Sequence, residues 1–382
     1  MTTAFVPSRR ALELARRSLR PVTVSSPGPG VISLIAGDPD FPTPDPIREA
    51  MVGAVSSGFT RYAHSQGDPD LREFLASLLS RRSRRPYTSE QVLITHGASA
   101  ALAVVMLAVL DPGQRVVIPE PTYSLYADLA TVAGAEIAFV RHRPDLHLDL
   151  DGIAAAAARA RMVVICNPCN PTGAVYSRAE LEALADIAAE HDLLVLCDEA
   201  YDHIVYEGVD FTSALQIEGL AERLIYVQSF SKTYAMTGWR VGYLAAPREV
   251  VVAAAGLHRT FNGPVNSAVQ RAALAAATLP DDRLEDMRRE YQARRDIVVR
   301  MVAGCPGLRL RPPQGTFYAL LGYRLSLPST EVTRLALERG VAVRAGAEYG
   351  PGGEGFVRIA FSTDRSLLVE GLERLLPLLA GE

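Results

Sequence analysis

Lysine is nearly absent from this chain. Lys and Arg together number 39 in 382 residues, and Lys232 is the only lysine, so the other 38 basic positions are arginine. Arginine stays protonated in proteins, whereas a lysine amine can shed its proton when desolvated and then attack a carbonyl. A chain that uses arginine wherever charge alone suffices, yet keeps one amine among the small hydroxyl residues of Ser229-Phe-Ser-Lys-Thr233, marks Lys232 as a candidate nucleophile. Cysteine is scarce too. Four in a chain of this length do not suggest a disulfide framework, and a reducing cytoplasm is expected. Cys166 and Cys169 form a C-x-x-C, but no second pair or nearby histidine completes a zinc site, so no metal is expected.

A positive surplus is missing as well. The net charge of −4 and pI near 6.0 argue against a nucleic-acid partner. The densest basic run, Arg81 to Arg85, stops at Pro86 and reads as the solvated end of a helix. The longest apolar run, Ala100 to Leu110, is too short to cross a bilayer and reads as a buried helix. Met1 to Pro21 carries four arginines among its first seventeen residues and no apolar stretch long enough for a signal peptide. Neither a G-x-G-x-x-G nor a P-loop occurs, and Gly97-Ala-Ser-Ala-Ala101 lacks the second glycine of a hydrolase elbow. Nicotinamide, nucleotide and serine-hydrolase chemistry are thereby disfavoured.

What is present is a hydrophobic content of 48% with 21% charge, enough for a sizeable core in one large and one smaller domain. After a helical stretch at Ala11–Leu19 and a Pro/Gly/Ser connection at Ser25–Gly30, the run Gly37 to Pro44 is too rich in Pro and Gly for regular structure. Helical spacing follows at Pro46–Ser57 and again from Pro69. Then short β-rich runs alternate with helix formers: Gln91–Thr95, Arg115–Ile118, Glu136–Val140, Arg161–Cys166, Leu193–Cys197, Leu224–Gln228 and Val241–Ala245, with helices such as Ala100–Leu110, Ala154–Ala160 and Ser177–His191 between them. Seven buried strands with helical crossovers imply an α/β fold with a mostly parallel seven-stranded sheet flanked by helices. A helical segment at Pro280–Val302 leads out into a smaller α+β unit. Its runs are Leu308–Arg311, Thr316–Leu321, a helix at Thr330–Arg339, Val341–Arg344, Gly355–Phe361 and a last helix from Arg365. The expected layout is an N-terminal segment, 1–45, packing with the small domain 281–382, and a large domain at 46–280.

In such sheets ligands gather at the carboxyl ends of the strands. After the first run comes His96-Gly-Ala-Ser99, opening a helix whose free N–H groups suit an anion. The fourth is followed by Asn167-Pro-Cys-Asn-Pro-Thr-Gly173, a turn that presents Asn170. The fifth ends in Asp198-Glu-Ala-Tyr201, where a buried carboxylate needs a cationic or N–H partner to stay ionised. The sixth ends in Ser229-Phe-Ser-Lys232, with Arg240 eight residues on.

These residues, with Gly37–Pro44, Tyr62, Gly67, Leu71-Arg72 and Val357-Arg-Ile-Ala-Phe361, resemble the pyridoxal-phosphate enzymes of fold type I, and among them the class I/II aminotransferases. Matching stretches span nearly the whole chain, in the family's order. The resemblance implies that Lys232 forms a Schiff base with the aldehyde of pyridoxal 5′-phosphate and acts as general base at the substrate Cα. It further implies that Asp198 holds the pyridine N–H and that Tyr201 and Asn170 flank the 3′ oxygen. The phosphate would fall to Ala98, Ser99, Ser229, Ser231 and Arg240. Tyr123 takes the place of the stacking aromatic ring, Arg358 that of the α-carboxylate clamp, and Gly37 lets the backbone approach the substrate. Tyr62 would reach the phosphate of the other subunit, so a homodimer is implied. The expected activity is ping-pong transfer of an amino group between an L-amino acid and a 2-oxo acid.

One bacterial aspartate-using subgroup has a lysine where this chain has Ser99, which counts against an aspartate assignment. Acidic, aromatic, aliphatic and basic donors stay open. A pyridoxal-phosphate lyase acting on a C–S bond or at Cβ would share the cofactor residues. A regulator of the same fold would need a DNA-binding extension, for which there is no room before Gly37.

Overall fold

The computed structural model describes residues 6–20, 28–280 and 282–382. The first half of the connection at Ser25–Gly30 therefore lies outside the described residues. A two-residue strand, β1 (Ile32–Ser33), precedes the seven strands read from the sequence: β2 (Val92–Thr95), β3 (Arg115–Glu120), β4 (Glu136–Arg141), β5 (Ala160–Cys166), β6 (Leu194–Asp198), β7 (Leu224–Ser229) and β8 (Gly242–Ala245). They form one sheet in the order β2-β8-β7-β6-β5-β3-β4. β8 pairs antiparallel with both β2 and β7, and the remaining pairs are parallel, so six strands send their carboxyl ends to one edge.

The strands read as continuous apolar runs because both faces are covered, as parallel sheets require. On β5, Val163 and Ile165 point into one core with Leu75, Leu184 and Tyr226, while Met162 and Val164 point into another with Leu102, Val105 and Tyr126. The helix Gly97–Val109, apolar on nearly all sides, packs in the second of these cores.

Four further strands, β9 (Tyr318–Gly322), β10 (Val341–Ala342), β11 (Arg344–Ala345) and β12 (Phe356–Ala360), follow the helix Asp282–Ala303. β11, β12 and β9 make an antiparallel sheet, and β10 pairs in parallel with β1. A third core joins Ile32 and Leu34 to Tyr291, Phe317, Val332, Ile359 and Leu372, so the segment around β1 is sewn to the C-terminal part of the chain. Among the described residues no helix is long and apolar enough to cross a membrane.

Four local readings are corrected. The alanine-rich helix ends at Ala157, and Ala160 already belongs to β5. Leu308–Arg311 is not a strand but a single bridge between Arg309 and Gly322, because Pro312 and Pro313 remove the donors that would extend it. Val341–Arg344 divides into β10 and β11, which serve different sheets. Finally, the basic run at the end of the helix Pro69–Ser83 is not wholly solvated. Arg82 turns inward to meet Asp202 at 2.8 Å and Glu199 at 3.9 Å.

Candidate active site

The carboxyl ends of the strands open on a cavity of about 420 Å³. Every site residue named from the sequence lines it except Tyr62, which is 95% exposed on the surface.

Asp198 closes β6 at its floor, 5% exposed. Tyr126 Oη–H donates to its Oδ2 at 2.8 Å, and the Ala200 N–H donates to Oδ1 at 3.2 Å. Burial pushes this carboxyl up to about 6, with those two donors pulling the other way. Among the described residues no cation forms an ion pair with it. A carboxylate kept in this state suits a ligand that brings its own positive N–H.

One end of the cavity is built from donors. The helix Gly97–Val109 starts without a side-chain cap from His96, so its first N–H groups, at Ala98 and Ser99, are open to an anion. Gly97, at φ 75°, is needed because a Cβ there would stand 2.8 Å from Arg240 Nη2. Arg240 is itself held left-handed at φ 55°, and its Nη1 donates to the Thr237 carbonyl at 2.8 Å. Ser229 and Ser231 complete this end, and Ser229 Oγ accepts from the Ser231 N–H at 3.1 Å.

Lys232 rises from the short helix Phe230–Thr233 that continues β7, and its Nζ donates to the Gly37 carbonyl. Gly37 is confined by Tyr318, whose Oη would lie 1.7 Å from any Cβ placed there. Tyr201 Oη lies 3.2 Å from Tyr318 Oη, and burial pushes its phenol well up. Tyr123 meets Tyr126 edge to face at 5.6 Å.

Arg358 projects from β12 at the opposite end, 5% exposed. Its guanidinium carbon sits 4.2 Å from the centre of the Tyr318 ring and 5.2 Å from that of Tyr349. Nη1 donates to Asn170 Oδ1 at 3.4 Å and Nη2 to the Ile35 carbonyl, but Nε is buried with no hydrogen-bond partner. A buried cation held by neutral oxygens and rings, with one N–H unspent, fits an incoming carboxylate.

The donor set therefore fits pyridoxal 5′-phosphate: an anion cradle at one end, a buried carboxylate on the floor, one amine, and a carboxylate receptor facing them. A family model for class I and II aminotransferases matches residues 29–375. The chain belongs to that family. Members use pyridoxal 5′-phosphate, and this protein is a pyridoxal-phosphate-dependent aminotransferase of fold type I. It is similar to the aspartate aminotransferase of Pyrococcus horikoshii, 36% identical over 92% of this chain and 91% of that one. It is also similar to aromatic-amino-acid aminotransferase 2 of Thermococcus litoralis, 37% identical over 91% of each. Among solved structures, the aspartate aminotransferase from Thermus thermophilus with maleate superposes with a TM-score of 0.87, at 33% identity and 98% coverage of both chains.

Several lining residues escaped the sequence reading. Tyr126 carried a partial signal, since it follows Tyr123 by three positions and opens the helix Leu125–Ala133. Tyr318 and Tyr349 carried no local signal. Arg344 and Glu348, an ion pair at 3.1 Å inside the cavity, were equally hidden. Arg344 reaches the site because β11 sets it directly across from Arg358, a register no motif displays. Arg20 also lines the wall, with its guanidinium 5.8 Å from the centre of the Tyr123 ring.

Proposed function

We propose that this aminotransferase binds the α-carboxylate of its substrate on Arg358 and Asn170 and uses Lys232 Nζ to take and return the Cα proton. The observation that carries this reading is the buried, unspent Arg358 Nε across the same cavity from the chain's only lysine. The bound cofactor supplies an electron sink for the charge left when that proton departs. Asp198 sustains the sink by holding a ring N–H. Tyr126 keeps Asp198 oriented, and Tyr201 with Asn170 fixes the ring's oxygen. Tyr123 covers one face and excludes water. Ala98, Ser99, Ser229, Ser231 and Arg240 anchor the phosphate, while Gly37 leaves room for the substrate beside Lys232.

For the partner substrates, the reading favours a dicarboxylic acid on at least one side of the exchange. The names of the relatives, aspartate aminotransferases among them, support this. So does the charge of the substrate end, where Arg344 and Arg358 face Glu348. Arg344 would then meet the distal carboxylate that a lysine at position 99 meets elsewhere.

Tyr62, too exposed to serve its own cavity, reaches the phosphate in a second copy, which makes the working unit a homodimer. The layout is a large domain at 46–280 carrying the cofactor, with 1–45 and 281–382 together forming the other wall. The free thiols Cys166, Cys169, Cys197 and Cys305 support a reducing, cytoplasmic setting.

The test is a half-reaction screen: the cofactor-loaded protein is mixed with single amino acids, and the oxo-acid product and the cofactor's absorbance are followed. A stoichiometric oxo acid, with turnover only when a second oxo acid is added, is the expected result. Release of ammonia from one substrate would overturn it. Borohydride treatment and peptide mapping should tag Lys232.

A further inference from the structure

Residues 346–353, between β11 and β12, form a loop closed at its neck and gripped at its tip. At the neck Gly346 and Gly353 stand back to back: a Cβ on either would meet the other's carbonyl oxygen at 2.0 Å. At the tip the chain turns through Gly350, at φ 121°, and receives the carboxylate of Glu120. The Gly352 N–H donates to Glu120 Oε2 at 2.5 Å, and the Thr122 N–H donates to the Tyr349 carbonyl at 2.8 Å. A Cβ on Gly350 or Gly352 would fall 2.7 Å from a Glu120 carboxylate oxygen, so both glycines are required by that contact.

Glu120 ends β3 of the central sheet and is 3% exposed. Among the described residues it makes no ion pair. Burial pushes its carboxyl up, against the Gly352 N–H and the charge of Arg141, which stands opposite on β4 without pairing; packing alone would be met better by an apolar side chain. What this one holds is specific. The gripped loop carries Glu348 and Tyr349 into the cavity, and the Tyr349 ring is one of the two that lie close to the Arg358 guanidinium. Three residues beyond Glu120, Tyr123 lines the cofactor's part of the same cavity.

We propose that Glu120 is a positioning residue for the carboxylate clamp. Through loop 346–353 it holds Tyr349 against Arg358 and so sets the affinity for the substrate's α-carboxylate, without touching cofactor or substrate. The inference rests on the role given to Arg358 above.

The test compares Glu120→Ala, Glu120→Gln and Gly352→Ala in the cofactor-loaded enzyme. Glu120→Ala should raise KM for the amino donor about tenfold, the loss of one charge-assisted hydrogen bond. It should leave kcat within about threefold and cofactor affinity, read by absorbance titration, unchanged. Deuterium exchange at the amides of 349–353 should quicken. Glu120→Gln, whose amide oxygen can still accept from Gly352, should recover most of the loss. Gly352→Ala presses a Cβ onto the carboxylate from the other side and should reproduce the rise in KM, which keeps the test open if Glu120→Ala does not fold. An unchanged KM in the variants that fold, or a parallel loss of kcat and cofactor affinity, would overturn the proposal. If the wild-type enzyme turned over no donor, the function reading would fail instead, and the exchange data would still decide whether Glu120 holds the loop.

Discussion

Arg294 and Arg358 are each 5% exposed, yet they sit in opposite company. Arg294, on the helix Asp282–Ala303, gives Nη1 and Nη2 to the two oxygens of Asp40 at 2.8 and 2.9 Å and Nε to Glu290 at 2.9 Å. All its donor faces are spent on carboxylates, and the result ties the loop Gly37–Pro44 to that helix. Arg358 has the same burial and, among the described residues, no ion pair: Glu348 acts on it only from a distance. Two buried acids repeat the contrast. Asp202 is paired with Arg82 and His203, which hold its carboxyl well below the usual range against the pull of burial. Asp198, four residues earlier, faces the cavity without a cation and is pushed up. Burial is therefore no guide to role here. A buried charge answered from within the chain is scaffold, and one left unanswered is a place kept for a ligand.

The contrast can be broken most severely at Lys232, another cation of the cavity that forms no ion pair among the described residues. Lys232→Ala should cut turnover by about 10⁴-fold or more while leaving thermal unfolding nearly unchanged, as steady-state rates and calorimetry will show. Retained turnover would remove the nucleophile assignment.

Next in size is the arginine pair itself. Arg294→Leu should cost about 3 kcal/mol of stability, because Asp40 and Glu290 lose their shared cation. Arg358→Leu should cost the fold little and weaken amino-acid binding about 100-fold with cofactor still bound. Urea unfolding and donor titration of both variants separate the two outcomes, and equal stability losses would erase the distinction.

Asp198 sharpens the comparison through pH. In the cofactor-free chain its folded pKa, about 6, lies above the ordinary 3.8. The folded state then binds the proton more tightly than the unfolded one, so this residue's contribution to stability falls as pH rises from about 4 to about 6 and stays low above that. Asp198→Asn cannot ionise. Without cofactor it should be more stable than wild type at pH 7.5, by at most about 3 kcal/mol, and the difference should close near pH 4. The same variant should hold cofactor at least about tenfold more weakly. A variant equally stable at both pH values would show that Asp198 costs the fold nothing.

The smallest effect is expected at Arg344, already paired with Glu348. Arg344→Leu should lower kcat/KM for dicarboxylic donors about tenfold relative to aromatic ones. An unchanged ratio would send the search for the distal reader to Arg20.

Much of this was legible before any coordinates. The seven strands were readable because a sheet covered on both faces writes itself as short apolar runs, such as Met162 to Ile165, whichever side each residue serves. The residues around Lys232, Asp198 and Asn170 were readable because each lies at the end of such a run, where local sequence and strand geometry agree. The N-terminal segment was expected to pack with the small domain, but the parallel pairing of β1 with β10 and the inward turn of Arg82 were not readable, since both depend on contacts between distant segments.

By itself, then, the sequence determined the chemistry on offer: one amine, one acid at a strand end, one helix start for an anion, and arginine everywhere else. Only the tertiary structure decided which arginine is spent and which is kept. That choice is made by the β11–β12 register, by Asp40 folding back onto Arg294, and by Glu120 gripping a loop 232 residues further on. Pairing across such separations is set by packing geometry in three dimensions, and no local pattern of residue types encodes it.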